Sequence, residues 1–242
     1  MTTYSFLIGL GASLAILRVI QQVPRWQAPR WANASLFFLL SCLIFARFMH
    51  VLVYWPYYWK NPAQILALWN GGLSWVGAVL GAYVGCWLIA KSWKSSILKI
   101  ADRLAVMVPP VVVFIWLACW LNGYAYGFAT STESFWGIPM MDETGFVQDR
   151  FPLQLVAAFS MLIFAFWLET RKNQFQKEGQ KMAVMHLGLV VHLLLFMPLR
   201  ADPALAILDV RVDVWASLVF FLIGAGTFYW MFFGPESSLQ KA

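Results

Sequence analysis

Arg47 and His50 stand three residues apart in an otherwise apolar stretch. That spacing places them one helical turn apart on a shared face. A guanidinium deep in lipid costs at least about 2.5 kcal/mol unless it finds a partner, a cavity or an anion. Two readings stand. Arg47 snorkels to the headgroups, or it turns inward and offers a phosphate a bidentate contact. His186 and His192 share a later apolar stretch, where a histidine either bonds a neighbouring helix or moves protons. Arg200, Asp202, Asp209, Arg211 and Asp213 cluster as a charged site or a solvated rim. Glu133, Asp142, Glu143 and Asp149 are further candidates in the longest polar segment, though their spacing forces no chemistry. Cys42, Cys86 and Cys119 lie in apolar stretches without metal-ligand spacing and read as small buried hydrophobes. No GxSxG, HExxH, Walker or GxGxxG context occurs. Neither metal nor cofactor is expected.

The elements that must position these residues are membrane helices. Apolar residues make up 61% of the 242, charged residues only 12%, and mean hydropathy is +0.69. A soluble domain would carry about a quarter of its residues as charges. Apolar runs of about 17–25 residues cross the hydrocarbon core as helices, and these runs are apolar on every face, which excludes the alternation of a barrel. Seven are predicted, over 4–20, 36–54, 73–90, 104–121, 153–168, 182–199 and 214–233. No polar linker divides the chain, so 1–242 reads as one all-α, seven-helix transmembrane domain. The segment 122–151 forms a small extracytoplasmic cap.

Lysine and arginine set the orientation. The first, third and fifth connections hold Arg25 and Arg30; Lys91, Lys94, Lys99 and Arg103; and Arg171, Lys172, Lys177 and Lys181. The even connections hold only Lys60, Arg150, Arg200 and Arg211. The odd loops are therefore expected in the cytoplasm, with the N-terminus outside and the C-terminus inside. The net charge of +6 is this topology signal and not a nucleic-acid footprint. No basic region precedes the first apolar run, so that run is expected to stay as a helix and not to be cleaved. Gly71-Gly72 opens the third span, and Gly77, Gly81 and Gly85 follow at every fourth position. Such a face admits a neighbouring helix closely or lines a crevice for lipid.

The ordered set of motifs resembles the bacterial prolipoprotein diacylglyceryl transferase family. Tyr4-Ser5-Phe6-Leu7-Ile8-Gly9 is similar to its opening helix, and Ala46-Arg47 followed by apolar residues and Tyr54 to its second. Asn61-Pro62 through Trp69-Asn70-Gly71-Gly72-Leu73-Ser74-Trp75 is the closest match. Asp102 resembles an acid leading into the fourth helix. Asn122-Gly123-Tyr124-Ala125-Tyr126-Gly127, Arg150-Phe151-Pro152-Leu153-Gln154-Leu155 and Arg200-Ala201-Asp202-Pro203 follow in the family's order. The resemblance implies a seven-span, N-out bundle at the bacterial inner membrane. It also implies transfer of diacylglyceryl from phosphatidylglycerol to the thiol of a lipobox cysteine, with glycerol phosphate leaving. Tyr4, Arg47, Asn122, Arg150 and Arg200 are the implied catalytic set. Gly71, Gly72, Gly77, His50, Gln154 and His192 are the implied lipid-binding set.

The chain also departs from the family's pattern. Val76 stands at the family's histidine, Trp116 at its phosphate-binding arginine, Cys119 at its asparagine and Tyr124 at its glutamate. Phe151, Leu153, Leu193 and Met197 replace further polar positions. Losing one charged donor to the transition state costs on the order of 2.7–4 kcal/mol. Three functions therefore stay open. The chain is a transferase for lipoprotein precursors, whose signal-peptide helix it would bind; it is a divergent transferase with another acceptor; or it is a catalytically degenerate homologue that binds lipid or apolar helices as a membrane subunit of a larger complex.

Overall fold

A computed structural model describes residues 3–68, 71–131, 134–142 and 144–234. Trp69, Asn70, Glu133 and Glu143 lie outside the described residues.

Among the described residues, seven helical spans are long and apolar enough to cross a membrane: Thr3–Ile20, Arg25–Val53, Trp75–Trp93, Ile97–Leu121, Leu153–Thr170, Gln180–Leu199 and Val212–Phe233. All seven expected runs are present. Within them lie α1 (Thr3–Ile20), α2 (Ala28–Val53), α4 (Trp75–Trp93), α5 (Ile97–Leu104), α6 (Val108–Leu121), α7 (Leu153–Thr170), α8 (Gln180–Phe196) and α9 (Val212–Phe233). The outer surface of the bundle is apolar: Phe166 is 74% exposed and Leu222 71%. That distribution suits hydrocarbon as the surrounding solvent.

Two details differ from the expected runs. The fourth span begins earlier, as the short helix α5, because Ser96 caps it by accepting from the Lys99 amide at 3.4 Å. A 3-10 turn at Ala105–Met107 then passes into α6, where Pro109 and Pro110 occupy the first turn and sacrifice no helical hydrogen bond. Between α2 and α4, a short helix α3 (Trp55–Lys60) and a 3-10 turn (Pro62–Leu66) lead toward Gly71 and Gly72. Trp55, Tyr57 and Trp59 are exposed there, as an aromatic belt at a membrane surface requires.

The helices form a closed ring. The broadest pairing is α2 with α4; α1 packs on α6, α6 on α7, and α8 on α9, with lesser contacts of α1 with α2 and α7 with α8. The seam of α4 with α8 and α9 is closed by side chains. Tyr83 Oη lies 2.6 Å from His186 Nδ1, and His186 Nε2 donates to the Phe220 carbonyl at 3.2 Å. One core joins Ala15, Val19, Phe38, Ile89, Leu104 and Met107. A second joins Val113, Trp116, Leu153, Met161, Leu193 and Phe196.

The glycine face of α4 is filled by α2. A Cβ on Gly77 would collide with the Phe45 carbonyl oxygen, and one on Gly81 would lie 2.5 Å from that of Ser41. Ser41 Oγ donates to the Gly81 carbonyl at 2.8 Å, fastening the two helices. Gly77 therefore serves helix packing, which corrects its reading as part of a lipid crevice.

The even connections gather at one end. Within the fourth, β1 (Ile138–Met141) pairs antiparallel with β2 (Val147–Arg150), Ile138 opposite Arg150 and Met141 opposite Val147. Within the sixth, β3 (Ala206–Ile207) pairs with β4 (Val210–Arg211). The two loops meet where Gly127 bridges Arg200 and the Ala201 amide donates to the Tyr126 carbonyl at 2.9 Å. The odd connections, with most of the lysines and arginines, meet at the opposite end.

Candidate lipid-handling site

At the even-loop end, α2 supplies Arg47, which is 7% exposed and turned inward. Nε donates to the Ile65 carbonyl at 2.8 Å, and Nη1 donates to those of Gly71 (2.6 Å) and Gly72 (2.8 Å). Nη2 donates to Gln64 and Ala67 carbonyls. Within the 3-10 turn the Ala67 amide already reaches the Gln64 carbonyl at 3.1 Å; the other carbonyls that face Arg47 need donors at a membrane interface. One guanidinium meets all five. Arg47 is thus neither snorkelled nor held open for a phosphate. It is the positioning residue for the 61–72 segment. His50 sits one turn further on, 4.7 Å from the Tyr54 ring and 6.0 Å from that of Tyr58. Gly72, at φ +74°, holds a left-handed conformation that residues with side chains rarely adopt, and a Cβ there would lie 2.7 Å from both Arg47 Nη1 and His50 Nε2. Gly71 completes the same turn at φ +77°.

Asn122 ends α6. Its side chain donates to the Ala118 carbonyl at 2.8 Å. The Tyr124 amide then closes on the Cys119 carbonyl at 2.9 Å around Gly123, whose φ is +67°. This is a Schellman stop, and it aims Tyr124 at Tyr4, with ring centroids 6.1 Å apart and planes at 86°. The Tyr124 carbonyl accepts from Gln154 Nε2 at 2.9 Å.

Arg150 ends β2. It lies 4.1 Å over the Tyr126 ring and donates to Asp142 Oδ2 at 3.3 Å. Asp142 in turn organises the hairpin turn, accepting from the Thr144 hydroxyl at 2.6 Å and the Thr144 and Phe146 amides. The Thr144 hydroxyl, those two amides and the Arg150 charge together hold its carboxyl below the usual aspartate range. Arg150 Nε and Gln154 Oε1 are buried and have no hydrogen-bond partner among the described residues, as is true of Thr130 Oγ1 in the same loop and Arg211 Nε in the sixth. An orphaned buried polar group costs about 1–3 kcal/mol, so each such atom in a native fold calls for an explanation.

Arg200 is fully engaged on its Asp202 side. Nε and Nη2 bind Asp202 as a fork at 2.8 and 2.6 Å, and Arg211 shares both Asp202 and Asp213 at 3.5 Å. Burial opposes the Arg200 charge, but the Asp202 hydrogen bonds and the Asp202 and Asp213 charges outweigh it and raise its pKa. Trp75 Nε1 donates to Asp213 Oδ1 at 3.2 Å, which ties this network to the start of α4. Arg200, Asp202, Arg211 and Asp213 are a half-buried latch and not a loose rim, while Asp209 is exposed.

His192 lies deeper, 6% exposed. Trp116 Nε1 donates to its Nε2 at 2.9 Å, and its Nδ1 is 3.0 Å from Ser160 Oγ. An indole nitrogen only donates. The ring is therefore neutral with its proton on Nδ1, directed at Ser160, which donates on to the Ala157 carbonyl at 2.9 Å.

The structure therefore unites Tyr4, Asn122, Tyr124, Arg150, Gln154 and Arg200 around the fourth and sixth loops. Arg47, His50, Gly71 and Gly72 form a second group. No hydrogen bond, ion pair or ring contact among the described residues joins the two. Sequence reasoning missed Ser160, Tyr83 and Asp142 as partners of His192, His186 and Arg150. Two histidines on one helix signalled that polar partners must exist, but not which.

Fold and site define a polytopic α-helical membrane protein whose polar groups converge at one end of the bundle under a small looped cap. The chain belongs to the prolipoprotein diacylglyceryl transferase family, whose model matches residues 1–230. Its relatives include the phosphatidylglycerol–prolipoprotein diacylglyceryl transferase of Nitrosomonas europaea, 28% identical over 98% of this chain and 89% of that protein. Those of Aromatoleum aromaticum (29% identical, 68% of this chain and 63% of that protein) and Nitratidesulfovibrio vulgaris (28%, 65% and 60%) are also similar. The matched region spans under two thirds of the length of the last two. Seven apolar helices in this bacterial family make the chain a multi-pass inner-membrane protein.

Proposed function

We propose that the chain moves the diacylglyceryl group of phosphatidylglycerol onto the thiol of a lipobox cysteine. The thiolate sulfur attacks the glycerol carbon, the carbon–oxygen bond to phosphate breaks, and glycerol phosphate leaves with the electron pair. The observation that carries this reading is that two orphaned buried atoms, Arg150 Nε and Gln154 Oε1, stand four residues apart on one family motif. A phosphate oxygen suits the first and a glycerol hydroxyl the second. The lysine and arginine bias argues that this end, with the 122–151 cap, faces away from the cytoplasm, and in this reading a signal-peptide helix reaches it from the bilayer.

A second reading rests on Trp116. At the position of the resembled family's phosphate-binding arginine, this chain holds an indole committed to His192 inside an apolar cluster. That favours a catalytically degenerate homologue that binds lipid or apolar helices beside other membrane subunits. One experiment separates the two: expression in bacteria depleted of their own transferase. Growth rescue with labelled diacylglycerol on a lipobox cysteine supports transfer. Failure to rescue at normal expression, with stable co-purification of neighbouring membrane proteins, supports the subunit.

A further inference from the structure

A cavity of about 770 Å³ opens at the odd-loop end, opposite the candidate site. Arg18, Lys99, Arg103, Lys172, Lys177 and Lys181 line it, against three carboxylates, Asp102, Glu169 and Glu178. Two of those carboxylates are already committed. Asp102 accepts from the Gly179 and Met182 amides at 2.6 and 2.7 Å, capping α8 from α5. Glu169 is shared by Arg18 and Lys172, both at 2.7 Å. Meanwhile Arg103 and Lys181 converge on one neutral residue: Arg103 donates to the Gln22 carbonyl, and Lys181 to Gln22 Oε1 at 3.2 Å. Positive charge is thus gathered here beyond what the lining carboxylates balance.

A second observation points to the kind of anion. A crevice of about 40 Å³ adjoins the cavity and shares Arg18, Glu169, Lys172 and Lys181 with it. Its other walls are apolar: Val106, Pro109 and Pro110 before and within α6, and Ala165 and Leu168 on α7. A free phosphate has no use for that wall. A phospholipid does, with its phosphate among the cations and the top of one acyl chain between α6 and α7. Basic pockets between membrane helices bind anionic headgroups on this physical ground.

We propose that this end of the bundle holds a binding site for an anionic phospholipid, distinct from the candidate transfer site and independent of the reading given to it. The test uses the full chain in phosphatidylcholine nanodiscs. The probe is phosphatidylglycerol carrying a photoactivatable group near the top of one acyl chain, and labelled peptides are mapped by mass spectrometry. Expected is labelling within 106–110 and 165–168, displaced by unlabelled phosphatidylglycerol but not by inorganic phosphate. Lys172→Gln with Lys181→Gln lowers it about thirtyfold. Ala165→Trp, which fills the crevice and leaves every charge in place, abolishes it, and this variant decides the matter if the lysine pair fails to fold. Equal labelling by a phosphatidylcholine probe, or unchanged labelling in the folded variants, overturns the proposal. Full displacement by inorganic phosphate overturns it too, because the cavity is then a site for free phosphate.

Discussion

Trp116 Nε1 donates to His192 Nε2 at 2.9 Å in the apolar interior between α6 and α8. The bond fixes the imidazole as a neutral tautomer whose Nδ1–H donates to Ser160 Oγ on α7. Three helices are joined by one relay of neutral groups. Trp116→Phe orphans His192 Nε2 and lowers stability by about 1–3 kcal/mol. Pairing it with His192→Leu recovers much of that loss, since replacing both partners by apolar groups is close to neutral. Thermal unfolding in detergent of both singles and the double closes the cycle. Strict additivity would show that the bond contributes nothing.

Arg47 organises backbone and not ligand. Arg47→Ala removes the guanidinium from the carbonyls of Gln64, Ile65, Ala67, Gly71 and Gly72, at about 1–3 kcal/mol for each that is left buried without a donor. Hydrogen exchange and protease cleavage should rise sharply in 61–72 and little in α7 or α9. Arg47→Lys supplies three donors for five acceptors and should lie between.

The α2–α4 seam should grade its glycines. Gly77→Ala meets backbone, which cannot swing aside, whereas a Cβ at Gly85 lies 3.2 Å from the Ser41 side chain. Overpacking of this sort costs about 1–3 kcal/mol. The melting temperature should fall clearly for Gly77→Ala and least for Gly85→Ala. Equal effects would mean that the helices do not approach as described.

The cap should loosen in acid. Thr144, Phe146 and Arg150 depress the Asp142 pKa, so the folded cap binds this proton less readily than the unfolded chain. Its contribution is complete above the ordinary aspartate pKa of about 3.9 and is lost as pH falls through the lower folded value. Protease sensitivity across 138–150 should rise below about pH 4. In Asp142→Asn the loop should be looser at neutral pH and should have lost most of that acid dependence.

The seven spans, their approximate limits and the segregation of basic residues to alternate loops were determined by the sequence alone. The reason is local: hydrocarbon offers the backbone no partner, so any apolar run long enough to cross must be a helix that bonds to itself. The motif order that marks the family was equally legible, because Asn122-Gly123 and Arg150 through Gln154 are short and contiguous. What each polar side chain faces was not. Arg47 read equally as a snorkelled cation or an inward one, and only the path of 61–72 beneath it chose. Gly77 read as packing or as crevice until α2 was seen against it. His192 met Trp116 and Ser160 from helices 76 and 32 residues away in the chain, a pairing that exists only once α6, α7 and α8 are assembled. Insertion into lipid is decided residue by residue along the chain. The partner of a buried polar group is decided by which other helix arrives beside it.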